Sequence, residues 1–295
     1  MPQPRKPGRP AVPPVVLRHR PPGPGGHTVY ALHPGALPVS VWGHLADALP
    51  ERTGLTVLDL AGVPEYFEAA LTGQHGDLTV ATLVDRFTDA YRTERAQAPD
   101  GPRPTFVGWS FGGVIAQAMT EALPERDRPD RLVLLDSIAP TEAYQQPDES
   151  LDAPLLLRWF AMYVGAKRGR ALSLGPAGTD GLDTETGLVR LLDAATASGA
   201  LPADTPVAGL RKLYDTYVEG LLRNNRLTAG HRPAPASVPL VLAKAEGSLL
   251  PQDETLGWPE LAPRGLALHT VPGDHYTMLT RPDAAAAIAG LVGRP

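Results

Sequence analysis

Short, nearly continuous apolar runs alternate with amphipathic helical segments along this chain, and that alternation limits its fold more than any other feature of the sequence. Apolar runs of this kind are typical of strands that are covered on both faces. Strand–helix–strand alternation indicates a mostly parallel sheet with helices on both sides. We therefore predict an α/β fold with a mostly parallel central sheet flanked by helices. The predicted strands are Val15–Arg18, His27–Leu32, Leu55–Leu60, Pro104–Gly108, Arg131–Asp136, Pro239–Ala243 and Leu266–Val271.

The composition is that of an ordinary globular protein and argues against several classes of function. Of 295 residues, 43% are hydrophobic and 20% are charged, and the net charge is −5. A nucleic-acid-binding protein would need a basic face, which this balance argues against. The absence of cysteine excludes disulfide frameworks, cysteine-based zinc sites and a thiol nucleophile. No apolar stretch is long enough to span a membrane and no secretory signal is found, so we expect a cytoplasmic protein.

One long insertion interrupts the domain. We expect residues 13–295 to form a single domain, preceded by a disordered Pro-rich tail over residues 1–12, which have little apolar surface to bury. Between the strand that ends at Asp136 and the strand that begins at Pro239, helical periodicity is present but no convincing strand. Insertions of this length with their own helices are most often functional lids, so we expect a helical lid over about residues 141–236. The alternative is a helical subdomain that only adds to the core.

The segment Gly108-Trp109-Ser110-Phe111-Gly112 contains the pattern G-x-S-x-G. The pattern alone is weak, but here an apolar strand leads into it and a helix of small and apolar residues follows. A nucleophile elbow needs this strand–turn–helix context, which presents the serine oxygen at a helix N-terminus. We therefore predict that Ser110 is a nucleophile. The alternative is an ordinary glycine-rich turn between a strand and a helix.

A serine nucleophile needs a histidine base, which follows it in the chain order of this fold class. Only His231, His269 and His275 follow Ser110. His275 comes just after the last predicted strand, where a side chain can reach the carboxyl edge of the sheet. His269 lies within that strand, and His231 lies in a Pro-rich loop. We predict His275 as the base, the alternative being a histidine that caps a loop.

The carboxylate that orients the base has two candidates. Asp136 ends the strand that follows the elbow helix and lies at the same sheet edge as Ser110, whereas Asp253 follows the next strand. Asp274 is adjacent to His275, and neighbouring residues rarely align for such a contact. We favour Asp136 and keep Asp253 open, because Asp136 could instead be a strand-end or helix-capping residue.

An oxyanion hole in this fold class uses two backbone N–H groups. One is expected from Phe111, the residue after the nucleophile. The other is expected from Gly35 or Ala36, in the loop that follows the strand His27–Leu32. His33 precedes the nucleophile, and we expect it to brace this loop rather than to act chemically.

Six segments carry a resemblance to a known family: LHPGALP, FVGWSFGGVIAQAM, RLVLLDSIAP, GLRKLYDTYVEGLLRNN, VPLVLAKAEGS and VPGDHYTMLT. In this order they resemble the thioesterase domains that terminate nonribosomal peptide and polyketide assembly lines, over about residues 14–292. The resemblance implies an α/β-hydrolase fold in which Ser110 becomes acylated, His275 is the general base and Asp136 is its partner. Free-standing editing members of the family usually carry this aspartate after the next strand, where Asp253 lies.

The resemblance implies that the chain releases an acyl, peptidyl or polyketide chain from the phosphopantetheine thioester of a carrier protein, by hydrolysis or by cyclisation. The implied partner is an acyl or peptidyl carrier protein, and the helical insertion resembles the family's lid. No metal or organic cofactor is expected, since neither a histidine cluster with ligand spacing nor a nucleotide fingerprint is present. The loop HPGALP departs from the commoner HP-x-G-G form of the family. The alternatives are an editing thioesterase, a general serine esterase and a non-catalytic ligand-binding protein.

Overall fold

Seven strands form one twisted sheet in the order β1-β3-β2-β4-β5-β6-β7. The computed structural model describes residues 14–73, 76–99, 101–172, 174 and 178–293, and the tail predicted over residues 1–12 lies outside them. β1 pairs antiparallel with β3, and all the other strand pairs are parallel. The strands are β1 (Val16–Arg20), β2 (Thr28–His33), β3 (Gly54–Asp59), β4 (Thr105–Trp109), β5 (Arg131–Leu135), β6 (Leu240–Gly247) and β7 (Leu266–Asp274).

Eight α-helices in the described residues cover this sheet. They are α1 (Gly43–Ala48), α2 (Pro64–Thr72), α3 (Val80–Arg95), α4 (Phe111–Ala122), α5 (Ala153–Arg168), α6 (Thr184–Ala197), α7 (Val207–Ala229) and α8 (Pro282–Val292). The mostly parallel α/β sheet with flanking helices predicted from the sequence is confirmed. None of the helices in the described part of the chain combines the length and the apolar character that a membrane span needs.

The two faces of the sheet carry separate hydrophobic clusters. Along β4, Phe106 packs into one cluster, whereas Val107 and Trp109 pack into the other, because successive side chains of a strand point to opposite faces. The Phe106 cluster includes buried side chains of α2, α3 and α4, and the Trp109 cluster includes those of α1, α8 and the insertion. Both faces are therefore covered, which explains why the strands are almost continuously apolar.

The stretch between β5 and β6 contains α5, α6 and α7, and no strand in its described residues. Asp152 and Asp183 begin α5 and α6 by accepting hydrogen bonds from the main-chain N–H groups of Leu155 (2.9 Å) and Thr186 (2.8 Å). Aromatic side chains join the insertion internally, with Phe160 of α5 packed edge-on against Tyr214 of α7 at 5.2 Å between ring centroids. The function of this insertion as a lid stays a prediction.

Two strands extend beyond their predicted ends by three residues or more. β6 continues to Gly247 and β7 to Asp274, and these two residues pair with each other after an irregularity in the register. The segment Val271–Asp274 contains Pro and Gly, and from the sequence alone these residues predict a turn. Pairing with β6 instead keeps it in the sheet, so His275 follows the strand directly.

Candidate active site

Ser110 occupies a strained turn between β4 and α4. Its backbone angles are φ 54° and ψ −128°, a conformation that is costly for a residue with a side chain and is concentrated at functional sites. The Ser110 N–H donates to the carbonyl of Leu135 on β5 at 3.0 Å, and the Ser110 carbonyl accepts from the Gly113 N–H at 2.9 Å. These bonds hold the turn on both sides, and the serine lies at the N-terminus of α4.

Glycines on both sides of Ser110 allow this turn. A Cβ on Gly108 would lie 2.3 Å from the Cα of Gly113, and a Cβ on Gly112 would lie 2.2 Å from the carbonyl oxygen of Leu32. Both distances are far below van der Waals contact, and the opposing atoms belong to the backbone. The glycines in the G-x-S-x-G pattern are therefore required by the close approach of α4 to β4 and β2.

Asp136 and His275 form a buried pair. The Nδ1 of His275 lies 2.7 Å from the Oδ2 of Asp136, and their side chains are 2% and 0% exposed. The other carboxylate oxygen accepts from the main-chain N–H of Ala245 on β6 at 3.1 Å. Because Asp136 can only accept when ionised, the neutral imidazole carries its proton on Nδ1. The remaining ring nitrogen, Nε2, is therefore the one with basic character.

Asp253, the alternative carboxylate, has other partners. It accepts hydrogen bonds from the hydroxyl of Tyr144 and from the N–H groups of Thr255 (3.0 Å) and Leu256 (2.9 Å). Burial raises the pKa of Asp253, but these hydrogen bonds outweigh it and hold the pKa below its usual value. Among the two candidates, the structure brings Asp136 to His275 and leaves Asp253 in a separate turn.

The other residues considered from the sequence take structural positions. His269 is exposed on β7, and His231 follows α7; neither is among the described residues that line the cavity around Ser110. Asp274 accepts from the N–H groups of Tyr276 (2.9 Å) and Thr277 (2.8 Å), which closes the turn after β7.

The loop after β2 lies beside the nucleophile. Gly35 and Ala36 line the same cavity as Ser110 and Phe111, and Gly35 has a positive φ of 84°. That angle favours glycine, so the loop conformation depends on this residue. The contribution of Gly35 or Ala36 to an oxyanion hole, together with Phe111, stays a prediction.

His33 braces this loop, as expected from its position. Its Nε2–H donates to the carbonyl of Leu37 at 2.7 Å, and its Nδ1 accepts from the indole N–H of Trp42 at 3.1 Å. An indole N–H can only donate, so the arrangement needs a neutral imidazole. Burial lowers the pKa of His33, in agreement with that geometry.

Two aromatic residues at the site were not singled out from the sequence. The indole N–H of Trp109 donates to the main-chain carbonyl of His275 at 2.9 Å, and the Trp109 ring stacks on His33 with centroids 5.7 Å apart. The hydroxyl of Tyr276 lies 2.7 Å from that of Tyr217 on α7, and burial raises the pKa of both phenols. The only features of the local sequence that point to these residues are the position of Trp109 within G-x-S-x-G and the position of Tyr276 next to His275.

A cavity of about 730 Å³ connects these groups. Ser110, Phe111, Asp136 and His275 line one part of it, and side chains of the insertion line another. The wall contributed by the insertion and the following loop is mainly apolar and includes Leu151, Leu155, Trp159, Leu213, Leu221, Leu249 and Leu250. Trp159 of α5 lines the cavity, whereas its neighbour Phe160 is buried in the core.

The arrangement has the components of acyl transfer: a hydroxyl in a strained turn, a histidine oriented by a carboxylate, and a helix N-terminus. The described residues contain no group of three or more His, Cys, Asp or Glu side chains that could hold a metal ion.

Comparison with known proteins gives consistent matches. The family model described as a thioesterase domain matches residues 27–294. Chondramide synthase from Chondromyces crocatus is 30% identical over 224 residues, which are 74% of this chain and 6% of that protein. The chain spans 26% or less of the length of the curated relatives it matches.

Two solved structures share the fold. A four-domain nonribosomal peptide synthetase bound to AMP and glycine matches with a TM-score of 0.61 at 22% identity, over 95% of this chain and 20% of the other. The Vlm2 thioesterase domain matches with a TM-score of 0.54 at 20% identity, over 94% and 95% of the two chains. The α/β-hydrolase fold is thereby established, with the insertion between β5 and β6.

Proposed function

The chain belongs to the thioesterase domain family, and on this premise we propose that it releases an acyl, peptidyl or polyketide chain from a carrier-protein thioester through an acyl-Ser110 intermediate. One observation carries the proposal. Ser110 in its strained elbow and the buried Asp136–His275 pair line the same cavity. Nucleophile, base and orienting carboxylate at one site are the components of covalent acyl transfer.

In the first half of the reaction, the Oγ of Ser110 attacks the thioester carbonyl carbon. The Nε2 of His275 accepts the hydroxyl proton, and Asp136 stabilises the imidazolium through Nδ1 without itself taking a proton. When the tetrahedral intermediate collapses, the carbon–sulfur bond breaks and His275 returns the proton to the departing thiolate. The products are an acyl-serine ester and the free phosphopantetheine thiol of the carrier.

The negative charge on the carbonyl oxygen needs donors fixed before the reaction. The N–H of Phe111 begins α4, where the helix dipole favours negative charge. The loop of Gly35 and Ala36 lines the same cavity, and in this proposal one of these two residues supplies the second N–H. Removing one such donor costs about 10²- to 10³-fold in rate in other serine hydrolases.

In the second half, a nucleophile attacks the acyl-serine and His275 acts again as base. Water gives a free acid, and an internal hydroxyl or amine of the chain gives a macrocycle. The cavity of about 730 Å³ under an apolar wall accommodates a chain of substantial size. Release from a phosphopantetheine arm requires no cofactor of the enzyme, because the thioester itself supplies the activated acyl group.

The carrier-protein partner is supported by the relatives. The matched synthase and the four-domain peptide synthetase are much longer than this chain, which matches only one part of each. A domain of such a protein receives its substrate from a neighbouring domain. We propose an acyl or peptidyl carrier protein in that position, with the helical insertion forming a lid over the acyl chain.

The proposal is tested by comparing kcat/KM for acyl-pantetheine thioesters and for oxygen esters of the same acyl groups. We expect the thioesters to be preferred and Ser110→Ala to abolish turnover. Ser150→Ala is the matched control, since Ser150 also lines the cavity but its hydroxyl donates to the carbonyl of Pro147 at 2.7 Å. Faster turnover of oxygen esters would favour a general esterase, and no turnover of either would favour a non-catalytic protein.

A further inference from the structure

A buried guanidinium, that of Arg223, lies on the wall of the cavity without an ion-pair partner. Arg223 belongs to α7 and is 6% exposed. Within the residues that the structure describes, no carboxylate forms an ion pair with it, and its Nε–H has no hydrogen-bond partner. A charged group taken out of water needs a compensating partner. Arg223 is therefore a buried cation on the wall of the cavity that holds Ser110, and no carboxylate of the described residues pairs with it.

The surroundings of Arg223 fix its position without neutralising it. The guanidinium packs over the ring of Tyr66 on α2, 4.8 Å from the ring centroid. The Tyr66 hydroxyl donates to the Oδ1 of Asn224 at 2.8 Å, so α2 and α7 are joined beside the arginine. Asp59, at the end of β3, accepts a hydrogen bond from the main-chain N–H of Ala61 at 3.0 Å. The stacking and the hydrogen bond hold the side chain in place but supply no negative charge.

We propose that Arg223 binds a carboxylate on the acyl chain, so that the preferred substrate is a thioester whose acyl group carries a second, free acid. This inference rests on the proposed function and names its substrate class. A guanidinium pairs with a carboxylate through two parallel hydrogen bonds from two of its N–H groups. Arg223 is the only Lys or Arg among the described residues that line the cavity, which matches a monovalent carboxylate better than a phosphate dianion.

The position of Arg223 along α7 sets where the second acid lies. Tyr217 marks the catalytic end of the helix, because its hydroxyl contacts Tyr276, the neighbour of His275. Arg223 comes six residues later, about 9 Å further along the helix axis. Gly220 and Leu221 line the cavity between them. The chain lengths to be tested between the thioester carbonyl and the carboxylate are therefore centred on this spacing.

The test uses pairs of pantetheine thioesters that differ only at the far end of the acyl chain, a free carboxylate in one and its methyl ester in the other. Chain lengths bracket the roughly 9 Å between Tyr217 and Arg223 along α7. We expect the wild type to prefer the carboxylate by about tenfold or more in kcat/KM, as for a charge-assisted bidentate pair.

Three variants locate the origin of this preference. Arg223→Met removes the preference for the carboxylate, and unfolding of the variant in urea reports on its folding. Arg223→Lys keeps the charge but loses the fork, so the preference falls without disappearing. Lys212→Met removes an exposed charge from the same helix and leaves the preference unchanged. If Arg223→Met does not fold, the reduced preference for the carboxylate in Arg223→Lys tests the proposal instead.

A wild type without preference at any chain length, or a preference that survives in Arg223→Met, would overturn the proposal. So would a penalty in Arg223→Met that appears only when the pantetheine thioester carries the phosphate of the carrier arm, because the anion would then be that phosphate. Direct binding separates this inference from the proposed function. Calorimetry on Ser110→Ala with the monoamide of a diacid, which keeps one carboxylate, and with the methyl ester of that monoamide, which has none, tests Arg223 even if no thioester is turned over, and equal affinities would contradict it.

Discussion

The indole N–H of Trp109 donates a 2.9 Å hydrogen bond to the main-chain carbonyl of His275. This bond joins the residue before Ser110 to a residue 166 positions later in the chain. The same indole ring stacks on His33, which braces the loop of Gly35. One buried side chain therefore contacts the three segments proposed to carry the nucleophile, the base and the oxyanion donors. We infer that Trp109 positions these segments relative to one another.

Replacing Trp109 by Phe tests this positioning. The variant keeps an aromatic ring in the core but leaves the His275 carbonyl without its donor, which costs about 1–3 kcal/mol when the acceptor stays buried. We expect kcat to fall about tenfold, since a small displacement of the base weakens proton transfer, while KM changes little. The measurement is steady-state kinetics together with the urea midpoint. An unchanged kcat in a destabilised variant would assign Trp109 to packing alone.

Substitution of the two aspartates separates the chain-releasing pattern from the editing pattern. Asp136→Asn should lower kcat by about 10⁴-fold, the loss seen when the orienting aspartate of a serine-protease triad becomes asparagine. Asp253→Asn is the matched control: its partners are Tyr144, Thr255 and Leu256, so kcat should stay within about threefold of the wild type. The reverse pattern, with activity lost only in Asp253→Asn, would show that Asp136 is not the partner of the base.

The buried His33 predicts a loss of stability in mild acid. Burial lowers the pKa of His33, so the unfolded chain binds this proton more readily than the native state does. The stabilising contribution of neutral His33 is therefore complete above about pH 6.5, the pKa of a histidine in the unfolded chain. It is lost as the pH falls below that value, by up to about 1.4 kcal/mol per pH unit for one proton. Unfolding in urea between about pH 7 and pH 5 measures the effect.

The comparison with His33→Gln isolates this residue, because burial also lowers the pKa of His27 and His231. The variant should be less stable than the wild type at neutral pH and should lose less stability on acidification. Parallel curves for the two proteins would mean that His33 takes no part in the acid response.

The hydroxyl pair Tyr217–Tyr276 connects the insertion to the segment of His275, and a double-mutant cycle measures the connection. Tyr217→Phe leaves the buried Tyr276 hydroxyl without its 2.7 Å partner and should cost about 1–3 kcal/mol. The double variant removes both hydroxyls, so its cost should be smaller than the sum of the two single costs by about 1 kcal/mol. The readout is the free energy of unfolding in urea. Strict additivity would show that the two hydroxyls are not coupled.

The sequence was sufficient for the fold class, and the three residues that it nominates as nucleophile, carboxylate and base line one cavity. The features that carry these predictions are local: strand periodicity, the glycines around Ser110, and the strand ends near Asp136 and His275. They predict a common site because the carboxyl ends of parallel strands meet at one sheet edge. The short helices α1, α2 and α8 were not predicted. α1 has only six residues, and its position depends on packing against α8, which a local pattern does not report.

The contacts that a single sequence could not predict are long-range. Trp109 contacts His275, 166 positions later in the chain. Arg223 lies at the cavity where α7 meets Tyr66 of α2. An arginine in an amphipathic helix normally lies on the solvated face, so nothing in the local pattern distinguishes Arg223 from exposed Arg226. Its burial becomes evident only when the insertion is placed over the sheet.

Intact-mass spectrometry on the protein mixed with acyl-pantetheine thioesters tests the central claim most directly. The claim is that Ser110 becomes acylated by a thioester. We expect a mass increase equal to the acyl group, located on the peptide that contains Ser110, or a released acid or macrocycle; both should be absent in Ser110→Ala and retained in Ser150→Ala. An adduct on another residue, or release that persists in Ser110→Ala, would contradict the account.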